Sequence, residues 1–227
     1  MKVKFFKISY STDLTIVGEY PQIQKVIYSD SPHWHPLYFR NVLTSYHEKL
    51  DFTPIFDTFS IVNKAKFTDI LSTVLSAYVF NEKMLNVLSN FTMSSTFAAY
   101  PIKVQKRLKI VDYYFFYLHN DDYAHLDIKE TIFYEEKAQS LIDDPRRYIK
   151  INDISEINDW GKWHSKFPKL KVEKLIYKNE IKDLDLLDGT YGDEAGYFVS
   201  LRLKEALEKA GISGILFEEV EKEISDF

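Results

Sequence analysis

Two groups of residues have the types and spacing to do chemistry at neutral pH. His33-Trp34-His35 puts two imidazoles on one side of an extended segment, and two neutral histidines can hold zinc where a third ligand converges. Pro32 and Pro36 bracket the tripeptide, so it reads first as a rigid surface loop packed by its aromatic ring. His119, Asp121, Asp122 and His125 form a denser cluster on a strand-ending turn. Imidazoles and carboxylates so placed can act as acid and base or bind a cation, with Asp127 or Glu135 as a further carboxylate. Asp and Asn are also ordinary turn formers, and the structural reading is the stronger one.

Other chemistries lack their residues. No Gly-x-Ser-x-Gly presents a nucleophile, Ser213 between Gly211 and Gly214 being off by one position. Gly189-Thr190-Tyr191-Gly192 runs into Asp193 and Glu194, whose charges repel phosphate, and no Lys-Ser or Lys-Thr completes a P-loop. With no cysteine there are no thiolate metal sites, no cysteine nucleophiles and no disulfides. With the histidine clusters read first as structural, neither a metal nor a cofactor is expected. The adjacent pairs Glu135-Glu136 and Asp143-Asp144 read as solvated ends of elements.

Charge is distributed unevenly. Lys162, Lys166, Lys169, Lys171, Lys174 and Lys178 are interleaved with Trp160, Trp163, Phe167 and Tyr177, a pattern that can bind single strands of nucleic acid. On a chain of net charge -5 it reads instead as a solvated helix and strand edge, and nucleic acid is not an expected partner. Glu180, Asp183, Asp185, Asp188, Asp193 and Glu194 are offset only by Lys182, and Glu218, Glu219, Glu221, Glu223 and Asp226 extend the acidity at the C-terminus. A field of that sign speeds association with a basic partner; it also serves solubility alone.

The elements that must position these residues follow from periodicity. Val3 to Ile8, Thr15 to Val17, Val26 to Tyr28, Phe59 to Val62 and Phe67 to Leu71 are β-prone, and Pro21, Pro32, Pro36 and Pro54 keep the first 75 residues rich in loops. Asn81 caps a helix whose Met84, Val87, Leu88 and Phe91 share one face, and Phe97 to Val104 returns as strand. Lys109 to Leu118 is apolar on both pleat faces and is expected in the middle of the main sheet, with Glu130 to Glu135 as the next strand. A helix over Ile154 to Ser165 follows the capping box of Asp153 and Glu156, and Val172 to Tyr177 is again strand. Ser200 caps a last helix with Leu203, Ala206, Leu207 and Ala210 on one face, Gly211 stops it, and Ile215 to Phe217 resumes a strand.

The two capped helices align without a gap. Tyr78 meets Tyr197, Asn81 meets Ser200, Met84 meets Leu203, Leu88 meets Leu207, and the register carries to Ser94 on Ser213 and Phe97 on Leu216. Either a strand-helix-strand unit is duplicated on a common sheet, or this is how any capped amphipathic helix between strands looks. The expected class is α+β, with a mixed or antiparallel central sheet and two or three packed helices. Residues 1-75 form a β-rich N-terminal part packed on residues 76-227. The 227 residues suffice for a substantial core. The N-terminus alternates lysine with apolar residues, so no signal peptide and no membrane span are expected, and a cytoplasmic location follows.

Phe198-Val199-Ser200-Leu201-Arg202-Leu203-Lys204-Glu205-Ala206-Leu207, continuing through Gly211-Ile212-Ser213-Gly214-Ile215-Leu216-Phe217, resembles the C-terminal signature of an immunity-protein family of bacterial polymorphic toxin systems, family eleven, formerly a domain of unknown function. Tyr100-Pro101-Ile102-Lys103-Val104, Tyr113 to His119, Leu126-Asp127 before Thr131-Ile132-Phe133, and Leu184 to Leu187 are similar to that family's strands in the same order. The resemblance covers Asn81 to Phe217 and carries no catalytic motif. It implies a non-catalytic protein that binds a cognate toxin domain and blocks it by occlusion. Charge and aromatic character direct attention to Asp183, Asp185, Asp188, Asp193 and Glu194, and to Trp34, Tyr38 and Tyr46, as toxin-binding residues. The alternatives are a small hydrolase or metal-dependent enzyme working from the His119 to His125 turn, and a general protein-interaction module.

Overall fold

In the computed structural model the chain runs β1 (Lys2–Tyr10), α1 (Leu14–Val17), β2 (Ile23–Ile27), α2 (Phe39–Leu43), β3 (Thr58–Ile61), β4 (Ile70–Leu71), β5 (Tyr78–Phe80), α3 (Glu82–Leu88), β6 (Phe97–Lys106), β7 (Lys109–Leu118), β8 (Ile132–Glu136), β9 (Arg146–Ile149) and β10 (Leu170–Lys174). A 3-10 turn (Asn179–Asp183), β11 (Leu186–Gly189), β12 (Gly196–Val199), α4 (Leu201–Lys209) and β13 (Ile215–Glu223) complete it. The structure describes residues 1–27, 34–43, 50–73, 78–94, 97–118, 124–136, 146–153, 155–156, 170–189 and 196–225. The class is α+β. No helix among the described residues is long and apolar enough to cross a membrane.

One unit is built twice. In the first, β4 and β5 form an antiparallel pair, α3 follows, and β6 and β7 complete the strand order β4-β5-β7-β6. In the second, β11 and β12 pair, α4 follows, and the order is β11-β12-β1-β13, again antiparallel throughout. The position that β7 fills in the first unit is filled by β1 in the second, so the second unit closes only by taking the chain's first strand. The boundary expected at residue 75 therefore does not separate two bodies: β1 lies inside the sheet of the C-terminal half.

The ladders fix the equivalences. Phe80 faces Tyr114 and Val199 faces Phe6, so Tyr114 and Phe6 correspond. Phe97 faces Leu118 and Ile215 faces Tyr10, so Phe97 corresponds to Ile215. The gapless alignment that set Phe97 on Leu216 is thus one residue out after the helix. A one-residue slip in a strand would turn every side chain to the opposite face, and the sheets show which register is real.

Between the units lies a shared core of Phe6, Ile8, Ile70, Phe80, Met84, Leu88, Phe116, Leu118, Leu186, Val199, Leu203 and Leu207. Equivalent residues face each other there, as around a two-fold axis. The rings of Tyr78 and Tyr197 stack with centroids 4.7 Å apart. On the outer face of the first unit, Tyr100 of β6 and Phe115 of β7 are covered by Phe39 of α2, Phe59 of β3 and Phe56 just before it, an aromatic cluster. That of the second is covered by Leu126, Tyr177, Ile181 and Ile224. The expectation for Lys109 to Leu118 is met in its second half, where Tyr113, Phe115, Phe116 and Leu118 are buried on both faces; Lys109 and Ile110 are exposed.

Local chemistry changes one expected strand. Thr15 to Val17 belongs to a single helical turn, because Asp13 accepts the Thr15 N–H at 2.8 Å and caps it before Gly18 ends it. The expected helix over Ile154 to Ser165 falls mostly outside the described residues. Its start is present: Asp153 accepts the Ser155 N–H at 2.8 Å and Glu156 reaches back to the Asn152 N–H at 3.2 Å.

Candidate functional site

Each helix N-terminus is clasped by one carboxylate from the residue preceding its unit's first strand. Asn81 caps α3 by accepting the Met84 N–H at 3.1 Å, and its amide donates to Asp69 Oδ1 at 2.7 Å. Ser200 caps α4 by accepting the Leu203 N–H at 3.1 Å, and its hydroxyl donates to Asp185 Oδ1 at 2.7 Å. The cap N–H donates to the carbonyl of the same aspartate in both, at 2.9 Å from Asn81 and 2.8 Å from Ser200. A cation from the second helical position completes each clasp: Lys83 Nζ at 3.4 Å from Asp69, and Arg202 in a two-pronged pair with Asp185.

The clasps also exchange partners. The Ser213 N–H, on the loop leaving α4, donates to Asp69 Oδ2 at 2.7 Å, and the Ser213 hydroxyl does the same at 2.7 Å. The Thr92 N–H, on the loop leaving α3, donates to Asp185 Oδ2 at 3.0 Å. Each unit's aspartate therefore holds the other unit's exit loop. At the first crossing Gly214 has φ +87, and a Cβ there would lie 2.4 Å from the Ile70 carbonyl, so the close approach requires glycine.

Burial alone would favour the neutral acid in both aspartates. For Asp69 that cost is outweighed by the Ser213 hydroxyl and N–H, Asn81 and Lys83, and for Asp185 by Arg202, the Thr92 N–H and Ser200. Both carboxyls are held below their ordinary range and stay ionised.

The residues expected to bind a partner divide sharply. Asp185 has a side chain only 3% exposed and is fully occupied inside the clasp. Tyr38 is buried, and its hydroxyl donates to the buried Asp57. Neither presents a surface: the acidity and aromatic character that singled them out serve the interior. Asp183 is exposed at the end of the 3-10 turn, Asp188 is half-buried near Tyr78 and Tyr197, and Trp34 is 72% exposed. Tyr46, Asp193 and Glu194 lie outside the described residues.

The alternative catalytic turn is not assembled by the described residues. His125 sits between the Glu180 carboxylate, 2.9 Å from Nδ1, and the Ser94 carbonyl, 2.5 Å from Nε2. Asp127 accepts the Glu130 N–H at 3.3 Å and Glu135 pairs with Arg147 at 3.0 Å, so the three groups are engaged in three separate places. His119, Asp121 and Asp122 lie outside the described residues, as does His33. His35 Nδ1 accepts the Leu37 N–H at 3.1 Å. Among the described residues no three His, Asp or Glu side chains are grouped to hold a metal ion.

Among the described residues, two concave surfaces stand out. A groove of about 770 Å³ runs between α3 and α4, floored by Val87, Phe91, Ala206 and Ala210. A cleft of about 550 Å³ separates Leu50 to Thr53 from Phe97 to Pro101 on β6. Sequence reasoning reached Asn81 and Ser200 through their capping chemistry but missed Asp69, Thr92 and Ser213. The gapless match of Ser94 to Ser213 points to the wrong pair, since Thr92 is the residue that does for Asp185 what Ser213 does for Asp69.

No protein-family model matches this chain, and no curated protein matches it in sequence.

Proposed function

We propose that this protein is a non-catalytic immunity protein that binds a cognate bacterial toxin domain and neutralises it by covering its working surface. The family resemblance of Phe198 to Phe217 suggests the biological role, and the paired clasps are the observation that carries the physical one. Asp69 and Asp185, two buried carboxylates held ionised by their partners, bind the chain's own helix ends and loops. They lock the two units together and leave recognition to the outer surface. Occlusion needs such a scaffold, because a surface ordered in advance does not lose conformational entropy on binding. An interface of about 800 Å² per partner suffices for tight, specific inhibition. The exposed carboxylates Glu180, Asp183, Glu218, Glu219 and Glu221 supply a field that draws in a basic partner.

The reading requires that a neighbouring gene encode a toxic domain, and the test is co-production with that domain. Growth should be restored, and the purified proteins should form a stoichiometric complex in which the toxin is inactive. Undiminished toxicity overturns the reading, as does turnover of a small substrate by this chain that is abolished by substituting one imidazole or carboxylate.

A further inference from the structure

We infer that the outer edge of β13, from Ile215 to Glu221, receives an extended lysine- or arginine-bearing segment of the partner protein as an added strand. This rests on the partner-binding reading above and names the surface and the chemistry of what it takes.

The ladder shows which main-chain groups are free. Gly214 accepts from Ser11, and Ile224 exchanges hydrogen bonds with Met1, so the even-numbered residues of this strand point their N–H and C=O groups at β1. Alternation in an antiparallel pair then turns Ile215, Phe217, Glu219 and Glu221 outward. The same rule puts Glu223 outward, and there the edge is taken: the Tyr177 N–H donates to the Glu223 carbonyl, and the Ser225 N–H to the Tyr177 carbonyl, each at 2.9 Å. Before Tyr177 the chain leaves to pair with β8. Among the described residues nothing pairs with the outer edge from Ile215 to Glu221, and Leu216 on it is 45% exposed.

The other unit shows what such an edge accepts. The counterparts of Lys222 and Glu223 are Val104 and Gln105, and both are paired in parallel by Phe59 and Ser60 of β3. The counterparts of Ile215 to Glu219 are Phe97 to Pro101, flanked by Leu50 to Thr53 across the cleft. In the first unit a strand thus pairs with this edge at Val104 and Gln105, and other chain lies across a cleft from the rest of it. In the second unit Tyr177 pairs at Glu223, and among the described residues nothing pairs with the four outward residues before it. Main-chain bonds along such an edge provide affinity, and the alternating side chains provide choice of partner.

Charge selects the occupant. Apart from the buried Lys222, the lysines of this strand pair lie on the inner strand and the carboxylates on the outer: Lys2 bonds Glu221 at 2.7 Å and Lys4 bonds Glu219 at 2.8 Å, while Lys7 stands opposite Glu218. An incoming strand meets the acidic row first. A second copy of β13 would set glutamate against glutamate, which disfavours self-pairing. The exposed ion pairs to Lys2 and Lys4 are weak enough to be shared with an arriving cation.

Proline substitution isolates the edge. At Glu219 or Glu221 it removes an N–H that points to solvent, so no bond to β1 is lost, which is the position where a strand tolerates proline. The probe is the inactivated toxin domain encoded by the adjacent gene, titrated against wild type, Glu219→Pro and the triple reversal Glu218→Lys, Glu219→Lys and Glu221→Lys, with circular dichroism confirming each fold. Each variant should bind at least tenfold more weakly, and hydrogen exchange at Phe217, Glu219 and Glu221 should slow on binding to wild type. Tight wild-type binding with exchange at those amides unchanged, or with both variants unaffected, overturns the edge assignment while sparing the immunity reading. Failure of wild type to bind overturns that reading and the assignment with it. A dimer in solution that Glu219→Pro dissociates would assign the edge to a second copy and also overturn it.

Discussion

In the first unit the outer edge of β6 is paired by β3 at Val104 and Gln105 and faced by Leu50 to Thr53 across a cleft, whereas among the described residues the outer edge of β13 meets only Tyr177, at Glu223. The inner halves are nevertheless alike: the same strand order, the same capped helix, and an aspartate with the same three jobs. What differs between two copies of one fold is what their decorations cover. The interior of each copy is dictated by its own hydrogen-bond accounting, since every buried carboxylate oxygen must find a donor. The exterior is free to diverge, and a strand edge that no described residue pairs with is where a partner can gain most.

The clasps offer the strongest way to break the equivalence. Asp185→Ala leaves the Thr92 N–H and the Ser200 hydroxyl without their acceptor beneath a nearly closed surface, and should destabilise the fold by about 3 kcal/mol. Asp69→Ala should cost about 2 kcal/mol, because its side chain is more open and its cation is a single-pronged lysine. Urea unfolding measures both. Equal losses would mean that the two-pronged arginine adds nothing to the second clasp.

Glycines of one loop sharpen the same point. Gly214→Ala combines a left-handed backbone with a clash against the Ile70 carbonyl and should cost about 2 kcal/mol or more, read as a fall in Tm. Gly211→Ala meets nothing within 4 Å and pays only for its φ of +63, so about 1 kcal/mol is expected. A larger loss at Gly211 would show that the helix stop, and not the crossing to the other unit, sets the geometry of this loop.

Acid tests both clasps together. A carboxyl held below its ordinary value contributes stability that is complete above that value and is lost as pH falls through the folded one. Asp69 and Asp185 are both depressed from 3.8, so stability should decline below about pH 4. In Asp185→Asn, which cannot titrate there, the decline in Tm from pH 5 to 3 should be shallower. An unchanged slope would place acid sensitivity elsewhere.

Much of the repeated fold was legible because it is local. Asn81 and Ser200 sit one residue before an amphipathic stripe, and side-chain capping acts over three residues of sequence. The register of Phe97 against Ile215 was not legible, since it depends on how many residues the loop after each helix consumes, and only the sheet decides that. Asp185 and Tyr38 looked like surface because burial of a carboxylate or a phenol depends on partners far away in sequence: Thr92 and Arg202 for the first, Asp57 for the second. The exposed edge of β13 was invisible for a further reason. An amphipathic strand reads the same whether it is central or terminal, and its terminal place follows from β1 arriving on one side and, among the described residues, only Tyr177 on the other.

The stacked tyrosines where the two units meet give the smallest predicted effect, and one with a change of sign. Burial, reinforced by the nearby Asp188 carboxylate, pushes the Tyr78 phenol up to about 12, and raises its counterpart Tyr197 well above the ordinary 10 for the same reasons. A phenol whose folded value is raised contributes stability that is complete below pH 10 and lost as pH rises towards the folded value. At pH 7, Tyr78→Phe should cost about 1 kcal/mol through loss of the hydrogen bond that the hydroxyl donates to the Ile8 carbonyl at 3.1 Å. At pH 11 the wild type has itself lost about 1 kcal/mol because unfolding now releases the phenolic proton, and phenylalanine has none to release. The two proteins should then unfold at nearly the same urea concentration. If Tyr78→Phe keeps a constant deficit from pH 7 to 11, the phenol ionises as readily in the fold as outside it, and the junction between the units is wetter than its stacking implies.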